Sequence, residues 1–138
     1  MNDVRLAGRF ERRSESPLEV WDGAQTPDGL GWLLPRLPRA RYVVVASFLA
    51  DKDVDGMLAA LSALSDTLVA TTSTNARALP ADEVAERARA WFASVEAYAD
   101  AAAAVTRARD LADSDGAVLV TGSLYLLSDL YRHEQGVR

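Results

Sequence analysis

Three short segments carry side chains that could hold an anionic ligand, and each stands where a strand should hand over to a helix. In Asp22-Gly23-Ala24-Gln25-Thr26-Pro27-Asp28-Gly29, Gly23 allows a tight turn, Thr26 can cap a helix and Pro27 suits the first helical position. Asp22, at the strand end, would direct a carboxylate into the crevice, where it suits a ribose hydroxyl or a metal-bound water. An Asp in that place can also do no more than stabilise its own turn. Ser47-Phe48-Leu49-Ala50-Asp51-Lys52-Asp53 sets a flexible cation, Lys52, between two acids. Lys52 can reach a carboxylate or phosphate, or it can be a surface lysine in a local ion network. In Thr121-Gly122-Ser123, a hydroxyl and free amides at a helix start suit an anion, although Ser is equally a preferred plain N-cap.

Composition narrows what these loops can be. The chain has 138 residues, 49% hydrophobic and 25% charged, which suits one domain around one core, spanning 1–138. A net charge of -5 argues against a nucleic-acid phosphate track. There is no Cys, so disulfides and thiolate metal sites are excluded. The one His, His133, would have to carry any imidazole metal site or Ser-His-Asp triad by itself, and such sites need several convergent groups. Neither Gly-x-x-x-x-Gly-Lys-Ser/Thr nor Gly-x-Gly-x-x-Gly occurs, which disfavours a P-loop nucleotide site and a dinucleotide oxidoreductase. No secretory signal opens the chain, and the longest apolar run, Tyr42 to Ala50, is far short of a membrane span, so a cytoplasmic protein is expected.

The elements that must position the three loops follow from hydrophobic period. Arg9 to Arg13 and Leu18 to Trp21, around a Ser14-Glu15-Ser16-Pro17 turn, predict an N-terminal hairpin. Tyr42 to Ala46 is a β-branched run fit for a strand buried on both faces, and Val54, Met57, Leu58, Leu61 and Leu64 fall at helical spacing. Thr67 to Thr72 predicts the next strand. A helix should start around Leu79-Pro80-Ala81 and run to about Phe92, burying Val84, Ala88 and Trp91. Val95 to Tyr98 predicts a short strand, Asp100 caps an Ala-rich helix, and Ala117 to Val120 is a last buried strand. Ser123 then opens a final helix with Leu124, Leu127, Leu130 and Tyr131 inward. The expected fold is α/β and three-layered: a mostly parallel, doubly wound, Rossmann-like sheet of about six strands, with one antiparallel strand from the hairpin. All three loops then open on the carboxyl edge of that sheet.

The ordered set Gly8-Arg9-Phe10-Glu11, Asp22 to Gly29, Leu49-Ala50-Asp51-Lys52-Asp53 and Val120-Thr121-Gly122-Ser123-Leu124-Tyr125 resembles the C-terminal domain of folylpolyglutamate synthase / dihydrofolate synthase, within the Mur ligase superfamily. The resemblance runs from about Val4 to Tyr131 and includes the Asn75-Arg77-Ala78-Leu79-Pro80 segment. It implies an ATP-dependent amide ligase, in which ATP activates a (dihydro)pteroate or folate carboxylate as an acyl phosphate and the amino group of L-glutamate attacks it. ATP, Mg2+ and most of the folate would be bound by a P-loop N-terminal domain, in cis or in trans, so this chain alone would hold no tight cofactor and would not be active. By motif position, Arg9 looks like the arginine that reaches the ATP phosphates and Asp22 like the ribose ligand. Lys52 and Ser123 look like the residues lining the incoming glutamate. The family loop usually reads Asp-Gly-Ala-His-Asn-Pro. Gln25 stands here at the His position and Thr26 at the Asn position, and Gln25 can hydrogen-bond but cannot carry a proton near neutral pH. Two other readings stay open, a non-catalytic interaction module descended from that domain and a generic small-ligand α/β domain.

Overall fold

The computed structural model describes residues 9–136, so Gly8 of the first motif and the stretch from Val4 lie outside the described residues. Six strands form one sheet: β1 (Glu11–Glu15), β2 (Leu18–Asp22), β3 (Tyr42–Ala46), β4 (Thr67–Ala70), β5 (Ser94–Ala97) and β6 (Ala117–Thr121). Their spatial order is β1-β2-β6-β3-β4-β5. Only the β1–β2 pairing is antiparallel, as the hairpin requires; the other four pairings are parallel. The expected three-layer, mostly parallel sheet is what forms.

Period-two alternation assigns each strand residue to a layer. In β3, Tyr42, Val44 and Ala46 face one core while Val43 and Val45 face the other. β6 divides the same way, Ala117 and Leu119 against Val118 and Val120. The first layer is closed by α1 (Pro27–Leu33), α2 (Val54–Ser62) and α3 (Ala81–Ala88), through Leu30, Leu33, Met57, Leu58, Leu61 and Val84. The second is closed by α4 (Ala101–Ala112) and α5 (Leu124–Glu134), through Ala104, Val105, Ala108, Leu126, Leu127 and Leu130. Alanines let α4 approach the sheet closely. The second layer also contains a charged lock: the buried Glu19 accepts two hydrogen bonds from Arg109, at 2.7 and 2.9 Å, and one from Trp21 Nε1 at 2.8 Å. Arg13 stacks over Trp21 at 4.1 Å and pairs with Glu134, tying the hairpin to the end of α5.

Several expected details are corrected. β1 begins at Glu11 rather than Arg9, so Arg9 and Phe10 lead into the strand. α3 stops at Ala88, and the buried position falls to Phe92 instead of Trp91, which is 44% exposed. In α5, Leu124 is 44% exposed and Leu126 occupies the core in its stead. Both slips have one cause: where apolar residues sit side by side or two apart, the 3.6-residue period fits either of two stripes. No helix among the described residues is long and apolar enough to cross a membrane.

Candidate functional site

The five parallel strands end together. Register places Asp22 beside Thr121, Thr121 beside Ala46, Ala46 beside Ala70 and Ala70 beside Ala97, one row along the carboxyl edge. The chain leaves β3 toward α2 on one layer and leaves β6 toward α5 on the other. A crevice therefore opens between those two neighbouring strands, the place where open α/β sheets take ligands.

The three loops are pinned to each other at Gly122. Its φ of +105° favours glycine, and a Cβ there would lie 2.3 Å from the Ser47 carbonyl oxygen. Its N–H donates to the Ala24 carbonyl at 3.1 Å. One residue is thus hydrogen-bonded to the Asp22 loop on one side and packed closely against the start of the Lys52 loop on the other.

Asp22 is 2% exposed, and its two carboxylate oxygens accept from Phe10 N at 2.9 Å and Ala24 N at 2.8 Å. Burial raises its pKa above the ordinary 3.8, opposed by the two backbone donors and by the positive charge of Arg9. The bond to Phe10 holds that residue at φ +49°, a left-handed conformation rare for a bulky side chain. Asp22 therefore organises its own loop and also fixes the backbone that carries Arg9. Arg9 is exposed, with its guanidinium 5.3 Å over the Trp32 ring of α1. Thr26 caps α1, accepting from Gly29 N at 3.0 Å, with Pro27 at the first helical position.

A cleft of about 300 Å³ occupies the crevice, lined by Gln25, Leu49, Lys52, Arg77, Leu124, Tyr125 and Ser128. The acids flanking Lys52 are engaged elsewhere. Asp53 caps α2 through Gly56 N at 2.9 Å, and Asp51 pairs with Arg77 at 2.8 Å. Ser123 does not line the cleft. It is fully buried, and its Oγ accepts from Tyr125 N at 3.1 Å, so it acts as the N-cap that fixes the first turn of α5. That turn supplies Leu124, Tyr125 and Ser128 to the wall. The sequence marks Arg77 only as part of the Asn75–Pro80 segment of the resemblance and gives no sign of a site role, because the segment is irregular and has no period. Arg77 arrives by a pairing distant in sequence: Leu49 bridges Ala78, Ala50 N donates to Arg77 O at 2.8 Å, and Leu79 N donates to Phe48 O at 2.9 Å. Among the described residues no group of three or more His, Asp or Glu converges as a metal site.

Residues 8–124 match the Mur ligase, glutamate ligase domain family. The chain belongs to that family. This Mur ligase domain is homologous to the C-terminal domain of folylpolyglutamate/dihydrofolate synthases, as its four motifs imply. It is 40% identical over 86 residues to the dihydrofolate synthase/folylpolyglutamate synthase of Mycobacterium tuberculosis, covering 59% of this chain and 18% of that protein. It is 37% identical over 125 residues to the folylpolyglutamate synthase of Lacticaseibacillus casei, covering 87% of this chain and 28% of that protein. The M. tuberculosis folylpolyglutamate synthase complexed with ADP and AMPPCP shares the fold at a TM-score of 0.83 and 31% identity, over 99% of this chain and 34% of that one. The bifunctional enzyme of Yersinia pestis with Mn, AMPPNP and L-glutamate bound gives 0.84 at 28% identity, over 98% of this chain and 33% of that one. The domain thus spans about a third or less of the length of these relatives.

Proposed function

We propose that this domain is the nucleotide- and glutamate-facing part of an ATP-dependent folate-type amide ligase, completed by a P-loop N-terminal domain in cis or in trans. The reaction joins the amine of L-glutamate to a (dihydro)pteroate or folate carboxylate, activated as an acyl phosphate at the expense of ATP. What carries the reading is the convergence of Lys52 and Arg77 on one cleft at the β3–β6 crevice, in a family where one relative holds L-glutamate.

Features of this chain's geometry support each role. Lys52, without a carboxylate partner among the described residues, suits one carboxylate of glutamate, and Arg77, paired with Asp51 through one nitrogen, keeps further N–H donors for the other, with Tyr125 and Ser128 as neutral hydrogen-bonding partners. Ser123 keeps the start of α5 in place beneath them. Arg9 offers a planar fork for phosphate at the mouth of the edge. Each Asp22 oxygen accepts one backbone N–H and keeps a further lone pair, but the residue is 2% exposed, so a ribose contact requires its loop to open when the N-terminal domain and nucleotide dock. Magnesium would be held by the N-terminal domain together with the nucleotide. A cytoplasmic setting and a single domain over 1–138 belong to the same reading.

The decisive experiment replaces the corresponding C-terminal segment of the M. tuberculosis enzyme with this chain. ATP-dependent glutamate addition by the chimera, with none by the 138-residue chain alone, is the expected result. Ligation by the isolated chain would sink the proposal. A chimera that folds, binds nucleotide and stays inactive would favour the non-catalytic module, for which Gln25 at the usual His position is the specific motive.

A further inference from the structure

Trp32 is unexplained by the fold. It lies on the solvent side of α1, 41% exposed, while Leu30 and Leu33 of the same helix are fully buried. Burial does not account for it, and helix propensity does not favour Trp over smaller residues. What the ring does touch is cationic. The Arg36 guanidinium lies 4.3 Å from the ring centroid and donates to the Trp32 carbonyl oxygen; the Arg9 guanidinium lies 5.3 Å from the same centroid. Among the described residues Arg9 has no carboxylate partner within ion-pair distance.

An arginine on an exposed lead-in to a strand would otherwise sample many rotamers and lose that freedom on binding an anion. Two features of this chain oppose that. The Asp22 carboxylate fixes the backbone at Phe10, and the indole gives the guanidinium a negative face to rest on. We infer that Trp32 is a positioning residue, a platform that pre-orders Arg9 for a phosphate group on the carboxyl edge, with Arg36 steadying the ring. The inference rests on the reading of Arg9 as the phosphate contact.

A double-mutant cycle on ADP affinity in the fused chimera tests it, fusion removing domain association as a variable. Arg9→Ala should weaken ADP binding by itself. Trp32→Ala should weaken it roughly two- to five-fold, the scale of an exposed cation–π contact, and should change little further once Arg9 is gone. Trp32→Tyr and Trp32→Phe should restore most of the affinity, whereas Trp32→Leu, similarly apolar but without a π face, should not. Equal effects of Trp32→Ala with and without Arg9 would overturn the platform, pointing to direct stacking of the base on the indole. Rescue by Leu would overturn it as well. An Arg9→Ala variant with unchanged affinity would instead remove the phosphate role of Arg9, and the two failures are thereby told apart.

Discussion

Two clefts open along one edge of the sheet. The one between the β3 and β6 loops measures about 300 Å³; the other, lined by Thr72, Thr74, Asp100, Asp129, Arg132 and His133, measures about 580 Å³. In the wider cleft most of the polar groups already serve each other. Asp129 accepts from Thr74 N at 2.8 Å, Thr74 Oγ1 at 2.7 Å and Arg132 at 2.9 Å, while Asp100 caps α4 through Ala103 N. In the narrower one Asp53 caps α2 and Asp51 pairs with Arg77, which leaves Lys52, among the described residues, without a carboxylate partner. Volume measures where helices diverge, whereas function follows from which charges the fold leaves without a full set of partners.

The largest break in that contrast should come from Gly122→Val. A Cβ driven at the Ser47 carbonyl in a left-handed conformation should cost about 3 kcal/mol in urea denaturation, against about 1 kcal/mol for Thr74→Ala in the wider cleft. Near-equal losses would mean that the three loops are not pinned at Gly122. Next, Lys52→Ala in the chimera should raise KM for glutamate roughly 30-fold, as expected when a charged contact is truncated, while Arg132→Ala stays within about two-fold. A stronger effect from Arg132 would transfer the glutamate site to the wider cleft.

Asp22→Asn should destabilise by about 1–2 kcal/mol, because an amide offers one acceptor oxygen to two backbone donors. Its pH dependence has a definite sign. A carboxyl raised by burial binds its proton more tightly in the folded state, so its stabilising contribution is complete below the unfolded value and fades as pH rises through the folded one. The advantage of the parent over Asp22→Asn should therefore shrink with rising pH across that window. Glu96, at the far end of the sheet, has the opposite sign. Hydrogen bonding from Arg107 lowers its pKa, so its contribution is present above the unfolded value and is lost as pH falls through the folded one. Parallel pH trends in the stability of Asp22→Asn and Glu96→Gln, each against the parent, would contradict this. The smallest effect expected is a several-fold gain in turnover for Gln25→His in the chimera, the imidazole supplying a charge that glutamine cannot. No gain would show that the cleft works without a titratable group at that place.

The layer architecture was legible because β3 and β6 read as apolar runs and the helices as periodic stripes, signals of the chain's own neighbourhood. Asp22 was legible because its strand-to-helix loop announces itself through Gly23, Thr26 and Pro27, Lys52 because it stands between two acids just beyond an apolar strand, and Gln25 only through the family resemblance. Arg77 was not, since its place depends on the Leu49–Ala78 bridge, which joins segments almost thirty positions apart and leaves no trace in either. Ser123 was visible as a cap and as a site residue; it is fully buried and caps α5, and the cap is the part of that reading described by its contacts. Trp91 and Leu124 show the remaining weakness: period alone does not say which of two close apolar residues turns inward.

The row from Asp22 through Thr121, Ala46 and Ala70 to Ala97 bears on how such a domain can change over generations. One residue added to any of these strands would move its loop outward by about 3.3 Å and turn the next side chain toward the opposite layer. At the other edge, turns such as 63–66 and 113–116 can lengthen without disturbing that row. Lineages of this domain should therefore collect insertions at one edge and substitutions at the other. Gln25 and Thr26, read by the family resemblance as standing at a His and an Asn position in a loop of the same length, would be changes of the second kind.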